Sequence, residues 1–274
     1  MWKVPGRFAC PGPVWQNSVM LALRSALFNV LFYALLIGMM VLGLPTLVIG
    51  HTAVLRLANH WARASLWLLW AICGTRVEFR GRAHIPAEPC ILAAKHQSFL
   101  EIIALCSLFP SFTFVLKREL TRIPLFGWYL EGSGQIAVDR SRGRAALTDV
   151  SRRAAAVLQA GRTLFIFPEG TRRPPDAAPE YKSGIAYIYG ETGVACLPVA
   201  VNSGLFWPRR SFRRRPGTAV VEFLPMIPAG LPRQAFQARM CDAVETASRA
   251  LMAEAVEADP RLACLYPNGA VPAA

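Results

Sequence analysis

The stretch CILAAKHQSFLEIIALCSL, residues 90–108, decides how this chain is read. Cys90 to Ala94 form a short apolar run, the pattern of a strand buried on both faces. Phe99 to Leu108 are apolar over a length better suited to a helix. Between the two runs lie Lys95, His96, Gln97 and Ser98. A strand that passes into a helix through polar residues predicts an α/β domain with its functional groups at strand ends. Glu101 follows His96 by five residues, at the start of the expected helix. A carboxylate there can reach back to one imidazole nitrogen, which fixes the tautomer and leaves the other nitrogen as a general base. The chain has only four histidines, which narrows the search for such a base.

Outward from this stretch the same alternation continues. Strands are expected at Arg76–Arg80, Cys90–Ala94, Phe112–Leu116, Gln135–Asp139, Thr163–Phe167, Val194–Val201 and Thr218–Leu224. Helices are expected at Ser98–Leu108, Arg142–Ala160 and Tyr181–Gly190. Phe236, Met240, Val244 and Leu251 recur at helical spacing within residues 233–257, a C-terminal helix that packs on the core. The expected fold is therefore α/β, a central mixed sheet flanked by helices.

Two further segments carry chemistry. Phe167-Pro168-Glu169-Gly170-Thr171-Arg172 comes directly after the strand candidate beginning at Thr163. A glycine at a strand end lets the backbone approach a ligand closely, and an arginine offers a planar fork of donors suited to phosphate. Glu169 could accept a hydrogen bond from a substrate hydroxyl or hold the arginine in place. Lys117 and Arg140 sit at the ends of two other strand candidates, and Arg140 closes the run that starts at Gly134. Two cations at strand ends could converge on one phosphate.

Before residue 74 the chain is of another kind. Ser25 to Gly50 contain no charged residue. As a helix, residues 19–44 would be about 39 Å long, enough to cross a bilayer core of about 30 Å with tilt. The run far exceeds the apolar core of a secretory signal, and no small-residue cleavage site follows it cleanly. In residues 51–73, Arg56, His60 and Arg63 share one helical face while Trp61, Trp67 and Trp70 crowd the remainder, the composition of an interfacial helix. The chain thus divides into an irregular basic lead (1–18), a membrane-associated two-helix segment (19–73), the α/β domain (74–259) and a tail (260–274). Arg56, Arg63, Arg76, Arg80 and Arg82 all follow the apolar run and favour a cytoplasmic location for the larger part.

The chain is 274 residues long, 54% hydrophobic, with a formal net charge of +13 and a mean hydropathy of +0.33. Such a charge favours anionic partners, and with this N-terminus the favoured one is an anionic membrane surface. No helix-turn-helix, RNP or zinc-finger pattern is present, so nucleic acid is not expected. The seven cysteines lie at neither metal-ligand nor redox spacing, and no metal or cofactor is expected. Arg209, Arg210, Arg213, Arg214 and Arg215 form a separate basic cluster, open to three readings: anionic headgroups, an acidic carrier of a substrate, or a solvated loop.

Taken in order, these blocks resemble the glycerolipid acyltransferase family that includes the bacterial 1-acyl-sn-glycerol-3-phosphate acyltransferases. The resemblance runs from about Gly81 to Val201. It rests on His96 with Glu101, on Gly134, Ile136 and Arg140, on every residue from Phe167 to Arg172, and on Leu197, Pro198 and Val199. The family's usual acid in the first block is Asp, and here a Glu stands in its place. The resemblance implies transfer of an acyl group from a thioester, acyl-CoA or acyl-carrier protein, to the sn-2 hydroxyl of a lysophospholipid, 1-acyl-sn-glycerol 3-phosphate, giving phosphatidic acid at the inner membrane. In that reading His96 and Glu101 are the base dyad. Lys117, Arg140, Glu169, Gly170, Thr171 and Arg172 bind the acceptor's phosphate and glycerol. Other lysolipid acceptors such as a lyso-ornithine lipid, glycerol 3-phosphate, a membrane hydrolase and a non-catalytic lipid-binding protein are the alternatives.

Overall fold

The computed structural model describes residues 19–139 and 143–266. A seven-stranded sheet forms its centre, in the order β1-β7-β6-β2-β5-β3-β4. The strands are β1 (Thr75–Arg80), β2 (Ile91–Ala94), β3 (Phe112–Lys117), β4 (Ile136–Val138), β5 (Thr163–Ile166), β6 (Cys196–Val201) and β7 (Gly217–Phe223). All neighbours run parallel except β6 and β7, so the sheet is mixed. The helices are α1 (Val19–Leu42), α2 (Pro45–Ile49), α3 (His51–Cys73), α4 (Leu100–Leu108), α5 (Phe126–Gly132), α6 (Gly143–Gln159), α7 (Gly184–Thr192) and α8 (Arg233–Ala258). Each strand expected from the sequence is present, with ends that differ by one or two residues. The short helices α2 and α5 were not anticipated, so residues 19–73 hold three helices rather than two, and the lead 1–18 and residues 267–274 lie outside the described residues.

The central strands read as unbroken apolar runs because helices cover both faces. Leu92, Ala94, Phe165, Leu197 and Val199 point into one core, shared with α1, α3 and α4. Ile91, Ala93, Leu164, Ile166 and Ala200 point into the other, shared with α6, α7 and α8. The alternation is that of any strand; what changes is that each side finds an apolar partner.

The first core binds the N-terminal helices to the domain. Leu21, Ser25, Phe28 and Phe32 form one buried stripe on α1, spaced as successive turns of a helix require. Phe28 and Phe32 meet the edge of Trp207, with ring centroids 5.3 and 5.6 Å away, and Phe32 also meets Phe99, just before α4. Asn59 of α3 donates to the carbonyls of Cys106 and Phe109, satisfying the open end of α4. Arg214, which is 6% exposed, stacks 4.1 Å over Trp207 and donates to Asn29, while its backbone N–H donates to Ser25 Oγ. Burial pulls its pKa down to about 10, which still leaves it charged at neutral pH. Of the five clustered arginines Arg214 is thus buried, Arg213 and Arg215 are half-buried, and Arg209 and Arg210 are exposed.

The outer face of α1 stays apolar and open. Leu23, Leu27, Val30, Ile37 and Val41 are all more than half exposed, and Trp67 and Trp70 of α3 are exposed as well. An apolar surface of this extent marks an interaction site, and α1 is long and apolar enough to be a candidate membrane segment. Phe28→Ala should cost about 3 kcal/mol of stability in urea unfolding of the detergent-solubilised protein. Leu27→Ala, one residue away on the outer face, should stay within about 0.5 kcal/mol.

Candidate active site

Strands β2 and β5 lie side by side and parallel, with Ala93 opposite Ile166. Their carboxyl ends therefore open at the same edge, and three residues on from that pair His96 faces Glu169. The chain moves to β3 on one side of β2 and to β6 on the other. That reversal leaves a crevice where ligand sites form in open α/β sheets.

His96 stands in this crevice with its ring fixed on two sides. Its Nδ1 lies 2.8 Å from Glu101 Oε1. An ionised carboxylate only accepts, so Nδ1 carries the proton and Nε2 is left as the basic nitrogen. No described residue hydrogen-bonds Nε2. The ring also stacks on Phe167, centroids 4.1 Å apart.

Glu101 is fully buried yet well supplied with donors. The N–H groups of Gln97 and Ser98 donate to Oε1 at 2.9 and 2.7 Å, and the Ser203 hydroxyl donates to Oε2 at 2.6 Å. Those bonds offset the cost of burying the charge. The longer side chain of Glu is accommodated because it curls over the first turn of α4 to meet these N–H groups. Ser203 was not singled out in the sequence; its signal is its place just beyond the end of β6. Ser98 is spoken for: its hydroxyl donates to the Trp207 carbonyl and accepts the Leu100 N–H.

The other expected residues divide into two groups. Gly170, Thr171, Arg172 and Lys117 line the same cavity as His96, a space of about 400 Å³. Gly170 has φ of +69°, the left-handed conformation that turns the chain after β5. Arg172 is half-buried, and its carbonyl accepts from Arg209. Lys117 is exposed and pairs with Glu119 at 3.1 Å. Arg140 lies outside the described residues.

Glu169 belongs to the second group. It is 2% exposed, and its Oε2 accepts the backbone N–H of His96 at 2.8 Å. Its other oxygen faces Lys95 Nζ at 3.4 Å, so the carboxylate braces the main chain of His96 rather than Arg172. Burial pushes the Glu169 carboxyl up, with Lys95 and the His96 N–H opposing. Arg173 completes the brace by donating its N–H to the His96 carbonyl at 2.8 Å.

Beyond His96 the cavity is apolar. Leu36 and Met40 of α1, Leu55 and Ala58 of α3, Ile102 of α4 and Phe114 of β3 are among its walls. A space of this size, mostly apolar with a few convergent polar groups at one end, is the usual form of a small-molecule site.

The Acyltransferase family profile matches residues 76–202. A 1-acyl-sn-glycerol-3-phosphate acyltransferase of Pseudomonas aeruginosa is 37% identical over 171 residues, 62% of this chain and 66% of that protein. A lyso-ornithine lipid O-acyltransferase of the same organism is 33% identical over 141 residues, 51% of this chain and 54% of that protein. The chain thus spans about half to two thirds of the length of these curated relatives. The crystal structure of a 1-acyl-sn-glycerophosphate acyltransferase from Thermotoga maritima superposes with a TM-score of 0.70 at 22% identity, covering 84% of this chain and 96% of that one. That last likeness is one of fold. The His96–Glu101 pair, the turn from Phe167 to Arg172 and the strands that carry them all fall inside residues 76–202, the part of the chain that matches the acyltransferase family.

Proposed function

We propose that this protein transfers a fatty acyl group from a thioester, acyl-CoA or acyl-carrier protein, to the sn-2 hydroxyl of 1-acyl-sn-glycerol 3-phosphate, forming phosphatidic acid. The observation that carries this reading is the His96–Glu101 pair, with Nε2 bonded by no described residue, at the head of an apolar cavity that Gly170, Thr171 and Arg172 also line. The names of the relatives in Pseudomonas aeruginosa support the reaction class.

The chemistry follows from the groups present. Nε2 of His96 takes the proton of the acceptor hydroxyl as its oxygen attacks the thioester carbonyl. Glu101 stabilises the imidazolium that forms. The tetrahedral intermediate collapses, the C–S bond breaks, and the imidazolium returns its proton to the departing thiolate. No covalent enzyme intermediate is needed, and Ser98 is already committed to Trp207 and Leu100. Cys106, also on the cavity wall, is held as the thiol by burial.

Arg172 supplies a fork of donors for the acceptor phosphate, with Lys117 and Arg140 as further cations. The apolar cavity takes an acyl chain. Its wall is completed by α1 and α3, so a lipid can enter where the open face of α1 meets the membrane. Since α1 is covered by the domain along one side, it lies in the membrane surface with its outer face in the acyl region. The arginines after the apolar run favour the cytoplasmic side of the inner membrane.

One alternative acceptor has a specific observation behind it, the 33% identity to the lyso-ornithine lipid enzyme. The two are separated by supplying lysophosphatidic acid and lyso-ornithine lipid in parallel, each with acyl-CoA and acyl-carrier donors. Phosphatidic acid should form with wild type and fall to background with His96→Ala, while membrane attachment is unchanged. Product only from the lyso-ornithine lipid would replace the acceptor and keep the mechanism. Activity retained by His96→Ala would remove the base. Glu101→Gln should lower kcat about 100-fold, because the amide presents N–H groups to donors that need an acceptor. Ala58→Phe, which narrows the cavity, should shift preference toward shorter acyl donors in the same assay.

A further inference from the structure

Four ionisable side chains gather beneath His96 without lining the cavity: Lys95, Glu169, Tyr181 and Glu245. Lys95 is 2% exposed and Glu245, on α8, is 8% exposed. Lys95 Nζ lies 2.5 Å from Glu245 Oε1 and 3.4 Å from Glu169 Oε1. The Tyr181 hydroxyl donates to Glu245 Oε1 at 2.7 Å. Glu169 in turn accepts the His96 N–H. A continuous chain of polar contacts therefore runs from α8 to the main chain of the base.

The arrangement is costly in isolation. One ammonium sits between two carboxylates, away from water, and buried ion pairs of this kind contribute little net stability. Glu245 also lies outside the residues that match the family profile. Its place suggests a task other than holding α8, whose apolar residues Phe236, Met240 and Val244 already fill the second core.

Glu169 and Lys95 belong to the two strand ends that must be held in register. Glu169 precedes the Gly170–Arg172 turn, and Lys95 precedes His96. Lys95 is shared between the two carboxylates, closer to Glu245 Oε1 than to Glu169 Oε1, while Glu169 Oε2 accepts the His96 N–H. Removing the charge of Glu245 would shift Lys95 toward Glu169 Oε1 and turn that carboxylate on the His96 N–H.

We propose that Glu245 is a positioning residue that acts through Lys95 and Glu169 to set His96 relative to the Gly170–Arg172 turn. The inference rests on the acyl transfer proposed above for its kinetic arm alone.

The test is Glu245→Gln, which keeps the shape and the Tyr181 contact but removes the charge. kcat should fall about tenfold, the effect of a modest misplacement of the base, with KM for the acyl donor unchanged because none of the four residues lines the cavity. Glu245→Asp, which keeps the charge, should recover part of the loss. Val244→Ala, a neighbouring core change on α8, should lower stability and leave kcat unaltered. A second readout does not depend on turnover. With ¹⁵N-histidine, the His96 amide, identified by its loss in His96→Ala, should move in Glu245→Gln while the other histidine amides stay in place. An unmoved amide with wild-type kcat would overturn the proposal. A kcat loss matched by Val244→Ala would do the same, since it would reflect stability alone. Should Glu245→Gln fail to fold, Tyr181→Phe removes a single donor to Glu245, and the same amide should shift less. An amide unmoved there too would sink the idea.

Discussion

The parallel pairing of β2 with β5 is the constraint on which the site depends. It sets Ala93 against Ile166 and so delivers His96 and Glu169 to the same edge at the same level. Side chains alone could not hold these two segments together, since more than 70 residues separate them in the chain. The main-chain ladder does it, and the bonds from Glu169 and Arg173 to the His96 peptide extend it past the last strand residue. His96 is thus fixed by its backbone as much as by its ring.

The ring is fixed separately. Glu101 reaches Nδ1 from the first turn of α4, and its remaining acceptor capacity goes to two backbone N–H groups and to Ser203. A carboxylate so engaged cannot rotate without breaking several charge-assisted bonds at once. Phe167 stacks against the ring, so a turn residue from β5 also limits where the imidazole can lie.

The N-terminal helices form part of the working domain. The buried stripe of α1 meets Trp207 and Phe99, residues that flank the dyad in space or in sequence. Its other side walls the cavity through Leu36 and Met40. Arg214 ties this helix to the loop after β6 through a stack and hydrogen bonds rather than an ion pair. One apolar helix therefore faces three environments: the core, the cavity and an open surface.

Much of this was legible in the residues. Short apolar runs alternating with longer amphipathic ones fix an α/β fold, because period and length reflect local backbone geometry. The five-residue step from His96 to Glu101 is local as well, so the dyad could be read directly. The stripe of α1 that would be buried could not be singled out, since an all-apolar helix offers no polar face to mark the other side. Glu169 was read as a ligand for substrate or arginine because it adjoins Arg172 in sequence; the structure turns it inward to the main chain of His96. Ser203, Tyr181 and Glu245 carried no signal that their chemistry alone could supply. Their partners lie 64 to 150 residues away, and such pairings exist only once strand order has been set. The helices and strands and the contact of Glu101 with His96 follow from neighbours along the chain, because their partners are local. Which carboxylate meets the His96 ring and which holds its main chain follows from the fold alone, because buried charges take their partners from whatever the fold brings within hydrogen-bonding distance.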